Sequence, residues 1–354
     1  MRTTTATLSA WTLFLGLDST LADRPPCSHD YCEVQNSLFN WIESNGGYIN
    51  PKVELTTGPD ENWHVRGVFA TSAMEEGERL FTLPPAVQIC EKDWCGLVGK
   101  VRDELVKGEE SFYWPYISAM EDHLVDLPTI WNEHERSLLA GLQPTDWQRH
   151  LIWYENGCGG DVNDAHHLRA MLLVVARSNG DESQSCMSPF YDSLNHASGN
   201  LLNTANRQNG DNYEKYVTQP IPAGGQVFNS FGDSDVGRLF RDYGFISQYP
   251  RLWTFEGTDG QQYAFECFDE DGYMTVDTNP FASPHQESPS ALAEQLKYQV
   301  ETLDATEIPE FEEDDSRVDP WRHRIALEYR AEYIHAMKTA LQAANSLVET
   351  RGEI

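Results

Sequence analysis

Two textures alternate along this chain, and their order constrains the fold more than any single residue does. From about Lys92 to Arg177 apolar residues recur at helical spacing. Trp94, Leu97, Val98 and Val101 share one stripe, Trp131, Leu138 and Leu139 continue the spacing, and His167 to Ala176 (HLRAMLLVVA) reads as a buried helix. On either side the apolar runs are short and closed by Gly or Pro. Val34 to Gly46 predicts an amphipathic helix through Leu38, Trp41 and Ile42, stopped at Gly46-Gly47. Val53 to Leu55, Val68 to Ala70 and Arg79 to Leu83 read as strands, with a turn at Glu76-Gly77 and a stop at Pro84-Pro85. Asn179 to Ser188 is polar and reads as a loop. Tyr213 to Val217 and Gln226 to Ser230 follow as strands around the turn Pro220 to Gly225. Ser234 to Tyr243 is a short helix with Val236, Leu239 and Phe240 on one face, and Trp253 to Glu256 with Gln262 to Phe268 suggests a hairpin. After the linker-like Pro280 to Pro289, Ala291 to Leu303 and Arg322 to Val348 predict two helices, separated by a run whose acidic core, Glu310 to Asp315, reads as a solvated loop. Doubly wound α/β folds alternate strand and helix, and this chain does not. The expected class is α+β: small sheets, a helical insertion, more small sheets, and a helical C-terminal lobe.

Charge narrows the partners. The 354 residues hold 56 acidic and 25 basic side chains, a formal charge of −31. Nonspecific nucleic-acid binding needs Lys and Arg to displace counterions, so it is not expected. An anionic membrane surface would repel the chain, whereas a basic protein or peptide would be attracted. At the N-terminus, Arg2, the apolar run Ala6 to Leu17 and the small residues around Thr20-Leu21-Ala22 have the layout of a signal peptide over residues 1–22, cleaved after Ala22. An uncleaved hydrophobic terminus or a plastid leader are the alternatives. Seven cysteines then fall in a compartment that allows disulfides. Cys27/Cys32 and Cys90/Cys95 are local pairs, and the odd count leaves at least one thiol without a partner in the chain. Connectivity is open. His29 lies inside the first pair without a second His at ligand spacing, so no zinc or other metal site is expected.

Three strings stand out. Val65 to Thr71 (VRGVFAT) precedes a Glu-Gly-Glu-Arg-Leu turn. Pro189 to His196 (PFYDSLNH) is rich in turn formers, and Asp192 by itself could be a cap. Ile221 to Phe245 (IPAGGQVFNSFGDSDVGRLFRDYGF) reads as turn, strand, glycine-closed loop and short helix. Each is ordinary alone. In this order they resemble the SET-domain methyltransferases, specifically the group around the Rubisco large-subunit lysine methyltransferase. The stretch Ser111 to Leu127 (SFYWPYISAMEDHLVDL) and Trp131 with Leu138-Leu139-Ala140-Gly141 resemble the insertion of that group. The resemblance covers about residues 34–250, with the insertion at about 92–187. Residues 285–354 are similar only in character to the family's substrate-binding C-terminal lobe.

The resemblance implies small twisted sheets around a pseudo-knot, S-adenosylmethionine as methyl donor, and a protein substrate methylated on lysine, with histidine as an alternative acceptor. It places His64, Val65, Arg66 and Gly67 along the cofactor, with Gly67 allowing close backbone approach. It places Asn195 and His196 at the adenine and ribose side, Asp192 as a brace of the knot, Arg177 near the cofactor carboxylate and Tyr243 on the cofactor wall. Arg177 also reads simply as a basic residue at a helix C-terminus, and Tyr243 as a core tyrosine. The chain departs from the family at Phe231, where a tyrosine hydroxyl is usual, and at Gly225, where an acidic residue is common. Phe231 keeps the ring without the hydroxyl, which leaves Tyr191 and Tyr243 as candidate sources of a catalytic hydroxyl. A SET-like binding module without turnover is the rival expectation.

Overall fold

The computed structural model describes residues 27, 31–57, 66–120, 126–180, 183–270, 273–278, 289–310 and 316–351. The signal-peptide segment, His29, His64, Val65, most of the Pro280 to Pro289 linker and all but Glu310 of the acidic run lie outside them.

Helix α1 (Cys32–Ser44) buries Leu38, Phe39 and Ile42, the residues that its spacing aligns on one face. Four short strands follow: β1 (Tyr48–Ile49), β2 (Val53–Thr57), β3 (Arg66–Ala70) and β4 (Arg79–Leu83). All of β3 is buried, including the arginine at its start. Strand β5 (Ile89–Glu91) leads into the helical block: α2 (Trp94–Lys107), α3 (Trp114–Ala119), α4 (Glu133–Ser137), α5 (Arg149–Cys158) and α6 (Ala165–Arg177). Asp93 caps α2 by accepting from the Gly96 N–H at 2.8 Å, and Asp164 caps α6 by accepting from His166 and His167 at 2.9 and 3.1 Å.

Beyond the block come β6 (Ser178–Gly180), β7 (Ser185–Met187), β8 (Asn195–His196), β9 (Thr204–Asn209), β10 (Asn212–Val217), β11 (Gln226–Asn229) and helix α7 (Val236–Tyr243). The C-terminal part contains β12 (Arg251–Glu256), β13 (Gln262–Glu270), β14 (Tyr273–Asp277), α8 (Pro289–Ala305) and α9 (Pro320–Arg351). The strands form four small sheets, ordered β1-β4-β10-β9, β2-β3-β11-β8, β5-β7-β6 and β12-β13-β14.

Two apolar cores share the chain. The first joins α1, the early strands, α2, α3 and α6. The second joins Trp131, Leu138, Leu139 and Trp147 of the insertion and Phe240 of α7 to β12, β13, α8 and α9. Ala336, Ala340 and Ala344, four residues apart on α9, are fully buried small side chains in the second core. Among the described residues no helix is long and apolar enough to cross a membrane, and no group of three His, Cys, Asp or Glu is placed to hold a metal ion.

Several expectations need correction. Asn179 to Ser188 is not a plain loop: β6 and β7 pair antiparallel, and β7 also pairs with β5. Burial of Cys186 and Met187 and a disulfide from Cys186 to Cys90 outweigh the polar composition. Cys90 and Cys95 are therefore not bonded to each other, since Cys95 pairs with Cys158. Cys27 does pair with Cys32, and Cys267 is the free, buried thiol. Trp131, Leu138 and Leu139 do not share a helix, because α4 spans only residues between them, yet all three are buried in the second core. The polar edge strand β9 has a weak strand signal, and β14 has one in Tyr273, Thr275 and Val276 that sequence reasoning did not assign.

Candidate cofactor and acceptor site

Strand β11 gathers the three motif strings. Its first residues pair antiparallel with β3 (Gln226 with Phe69, Val227 with Val68), and its last pair parallel with β8 (Phe228 with Asn195, Asn229 with His196). The side chain of Asn203 holds this switch in place. Its amide donates to the Gln226 carbonyl at 2.9 Å, and its oxygen accepts the Phe228 N–H at 2.8 Å.

Asn195 donates from Nδ2 to the Arg66 carbonyl at 3.2 Å, and its Oδ1 carries no hydrogen bond among the described residues. A Cβ on Gly67 would meet Gln226 Nε2 at 2.6 Å and Asn195 Nδ2 at 2.7 Å. Gly67 thus makes room for two side-chain amides that fold over the strand. Gly67→Ala is expected to destabilise the fold by about 1–3 kcal/mol, because a Cβ there overpacks the site and displaces the Asn195 amide. Thermal unfolding checks this, and an unchanged midpoint would show that both amides swing aside freely.

The loop from β7 to β8 carries the charged part of the site. Phe190 opens it with φ 66° and ψ −39°, a sparsely populated positive-φ conformation that costs about 1–3 kcal/mol. Its buried ring is held edge-on against Phe39 at 5.1 Å and Phe81 at 5.8 Å. Two residues later Asp192 is buried, and Tyr116 of α3 donates its hydroxyl to Asp192 Oδ2 at 2.8 Å. Arg177, the last residue of α6, donates from Nη1 to the Asp192 carbonyl at 3.1 Å and lies 3.6 Å from Oδ2. Its buried Nε has no partner among the described residues. Burial pushes the Asp192 carboxyl above its ordinary range, opposed by Arg177, the Tyr116 hydroxyl and Arg66. Arg66 itself donates to the Ala119 carbonyl at 2.5 Å.

The aromatic part lies at the other end of β8. His196 accepts the Phe231 N–H on Nδ1 at 3.0 Å, and its Nε2 is 3.1 Å from Ser198 Oγ. Burial pulls its pKa down to about 4, so the ring is neutral at pH 7. With Nδ1 accepting, the proton sits on Nε2 and is donated to Ser198. The rings of His196, Tyr243 and Phe245 lie 5.3, 4.7 and 6.1 Å from that of Phe231. Among the described residues the Tyr243 hydroxyl has no hydrogen bond, and burial raises its pKa. Tyr191 instead packs its ring on Phe81 and Tyr213, at 6.3 and 5.2 Å. The structure therefore sets Tyr243, not Tyr191, against Phe231.

Three residues enter that sequence reasoning did not single out. Phe245 stands in the YGF string beside Tyr243, and Tyr116 stands in the Ser-aromatic-Pro-Tyr stretch, so both had a signal. Lys215 had none, being one charged residue in a strand. It is buried, donates to Asn206 and Asn229 Oδ1 at 2.6 Å each, and sits 5.1 Å from the Tyr191 ring, with burial lowering its pKa to about 7. His64 and Val65 lie outside the described residues.

Helix α7, which ends at Tyr243, is anchored from the C-terminal lobe. Phe240 stacks on Tyr329 of α9 at 4.3 Å and 6°, and meets Trp131 edge-on at 5.8 Å. Next to Tyr243, Asp242 accepts from His150 at 2.7 Å and from Arg241 at 2.7 Å, and Arg241 also reaches Asp146 at 2.7 Å.

No protein-family model matches the sequence. An uncharacterized protein of Schizosaccharomyces pombe is 21% identical over 273 residues, which is 62% of this chain and 57% of that protein, so the chain spans less than two thirds of that relative's length. Among solved structures, the SET domain of LSMT bound to lysine and AdoHcy superimposes with a TM-score of 0.58 at 14% identity, over 90% of this chain and 92% of that one. Rubisco LSMT bound to AdoMet, and again bound to sinefungin and monomethyllysine, gives the same TM-score and coverage at 15% identity. At such identity the likeness is one of fold. With its small sheets, the two-way pairing of β11 and its helical insertion and lobe, this chain has the SET-domain fold of the Rubisco LSMT type.

Proposed function

We propose that this chain is an S-adenosylmethionine-dependent protein N-methyltransferase whose acceptor is a lysine side chain. The observation that carries the reading is the convergence, around β8 and β11, of Arg66-Gly67, Arg177, Asp192, Asn195-His196, Phe231 and Tyr243 from separate segments of the chain. The ligands named with the LSMT structures, AdoMet, AdoHcy and lysine, support it. The residues fit the cofactor on their own chemistry. Among the described residues the buried Arg177 Nε is a cationic donor without a partner, suited to a carboxylate, and Asn195 Oδ1 is an acceptor without a donor, suited to an amine.

When bound, the cofactor supplies an electrophilic sulfonium methyl; the protein binds, orients and excludes water. A lysine acceptor has an ordinary pKa of about 10.4 and must be neutral to offer a lone pair. Phe231, Tyr243 and Phe245 form apolar walls that disfavour its charged form. His196 is not free to take the proton, because Nδ1 accepts the Phe231 N–H and Nε2–H is donated to Ser198. Tyr243 is left as the hydroxyl that accepts an amine N–H and aims the lone pair. The proton itself leaves to water.

A calorimetric titration with S-adenosylmethionine tests the reading. Wild type is expected to bind, and Asn195→Ala to bind more weakly by about 1–3 kcal/mol, because the group it served is left unpaired. Mass spectrometry after incubation with isotopically labelled cofactor and a proteome then identifies the acceptor. No binding by the wild type would remove the enzyme reading. Binding without transfer would leave the second reading, a SET-fold binding module, which Phe231 favours. The charge of −31 supports a basic protein segment as substrate, and the lobe of α8 and α9 is assigned to present it. Passage through the secretory pathway is also proposed, supported by the three disulfides.

A further inference from the structure

We infer that Tyr116, supplied by the helical insertion, is a positioning residue of the cofactor site: its hydroxyl seats the Asp192 carboxylate, which in turn holds Arg177 with one guanidinium N–H left for an anionic group of the ligand. The inference rests on the proposed cofactor site and goes beyond it by giving the insertion a direct part in assembling that site.

The geometry is local and complete. Helix α3 is six residues long and packs against α1. Two of its residues, one turn apart, reach the two arginines' neighbourhood: Tyr116 donates to Asp192 Oδ2 at 2.8 Å, and the Ala119 carbonyl accepts from Arg66 at 2.5 Å. Tyr116 is 1% exposed, so this hydroxyl has no water to turn to if Asp192 is lost. On the other side of the carboxylate, Arg177 donates to the Asp192 carbonyl at 3.1 Å and lies 3.6 Å from Oδ2, longer than a hydrogen bond. The shortest side-chain contact of Asp192 is therefore the one from Tyr116. The charged and titratable groups acting on Asp192 are Arg177 from α6, Tyr116 from α3 and Arg66 from β3; the adjacent Tyr191 on its own segment turns to Tyr213.

The ionisation of Asp192 supplies a signature that simple packing lacks. Burial raises its pKa, and the Tyr116 hydrogen bond is one of the influences holding it down. Removing that donor raises it further. A carboxyl whose folded pKa lies above its unfolded value binds more protons in the folded state, so stability falls as pH rises through that window. Tyr116→Phe widens the window upward. Its loss in Tm relative to wild type should therefore grow as pH rises from the ordinary carboxyl value, about 3.9, toward the raised folded value.

The test compares wild type, Tyr116→Phe, Asp192→Asn and the double variant, by thermal unfolding across that range without ligand, and by S-adenosylmethionine titration. The expected result is a Tm deficit of Tyr116→Phe that grows with pH when Asp192 is intact and is flat when it is combined with Asp192→Asn. Cofactor affinity should fall about ten-fold at pH 8, as for loss of one hydrogen bond to a charged group. A deficit equally independent of pH in both backgrounds, or wild-type affinity in Tyr116→Phe, would overturn the inference. Absence of binding by the wild type would instead remove the cofactor reading, and the unfolding series would still decide whether Tyr116 seats Asp192.

Discussion

Tyr243→Phe should lower single-turnover methyl transfer to a basic peptide by about ten-fold or more, yet by less than the roughly 10²–10⁴-fold of a lost proton-transfer group, because the phenol aims the amine and the proton leaves to water. Cofactor affinity should stay within a few-fold, since the ring and its 4.7 Å contact with Phe231 are retained. The reasoning is one of elimination among hydroxyls. Phe231 has none. Tyr191 packs its ring on Phe81 and Tyr213, whereas Tyr243 lies against Phe231 with no hydroxyl partner among the described residues. His196 cannot substitute, because both ring nitrogens are occupied and burial keeps it neutral. The companion variant Phe231→Tyr adds a second hydroxyl beside the first and should raise transfer. Tyr191→Phe should change it little. Brisk turnover by Tyr243→Phe would show that no phenol is needed and that alignment alone suffices.

Asp242→Ala should destabilise the protein by about 3–5 kcal/mol, because it removes the acceptor of buried His150 and leaves the buried Arg241 guanidinium with Asp146 as its remaining partner among the described residues. Arg241 and His150 side chains are each 7% exposed, and both hydrogen-bond Asp242. Burial alone would raise the Asp242 carboxyl; the hydrogen bonds from His150 and Arg241 outweigh it and hold the pKa well below the carboxylate range. A depressed carboxyl contributes stability that is present above its unfolded pKa, about 3.9, and is lost as pH falls below that toward the folded value. The stability gap between wild type and variant in urea should thus be full at pH 7 and narrow as pH falls below about 4. A loss under about 1 kcal/mol at pH 7 would mean that the cluster relaxes or admits water. Because Asp242 adjoins Tyr243 at the end of α7, the same variant tests whether the C-terminal lobe holds the aromatic wall in place.

Local pattern was enough for much of the framework. The 3.6-residue spacing in α1, α2 and α6, the Pro84-Pro85 stop after β4 and the Gly-closed turns before β11 are properties of neighbouring residues, and neighbouring residues decide them. The order of the VRGVFAT, PFYDSLNH and YGF strings was likewise legible, and with it the SET-like fold. What neighbours could not decide was any pairing across distance. Hairpin β6-β7 forms from a polar stretch because Cys186 is bonded to Cys90 and Met187 is buried against a distant core. The reason for Gly67 is the two amides that fold over it, Asn195 and Gln226, both more than a hundred residues away. Lys215 looks like any strand lysine until two asparagines and a tyrosine close around its amine. The choice between Tyr191 and Tyr243 depended on which ring faces Phe231, and only the packed structure puts Tyr213 beside one and Phe231 beside the other. Residue type and spacing set which chemistry was possible in this chain; burial and long-range hydrogen bonds decided which groups are left free to perform it.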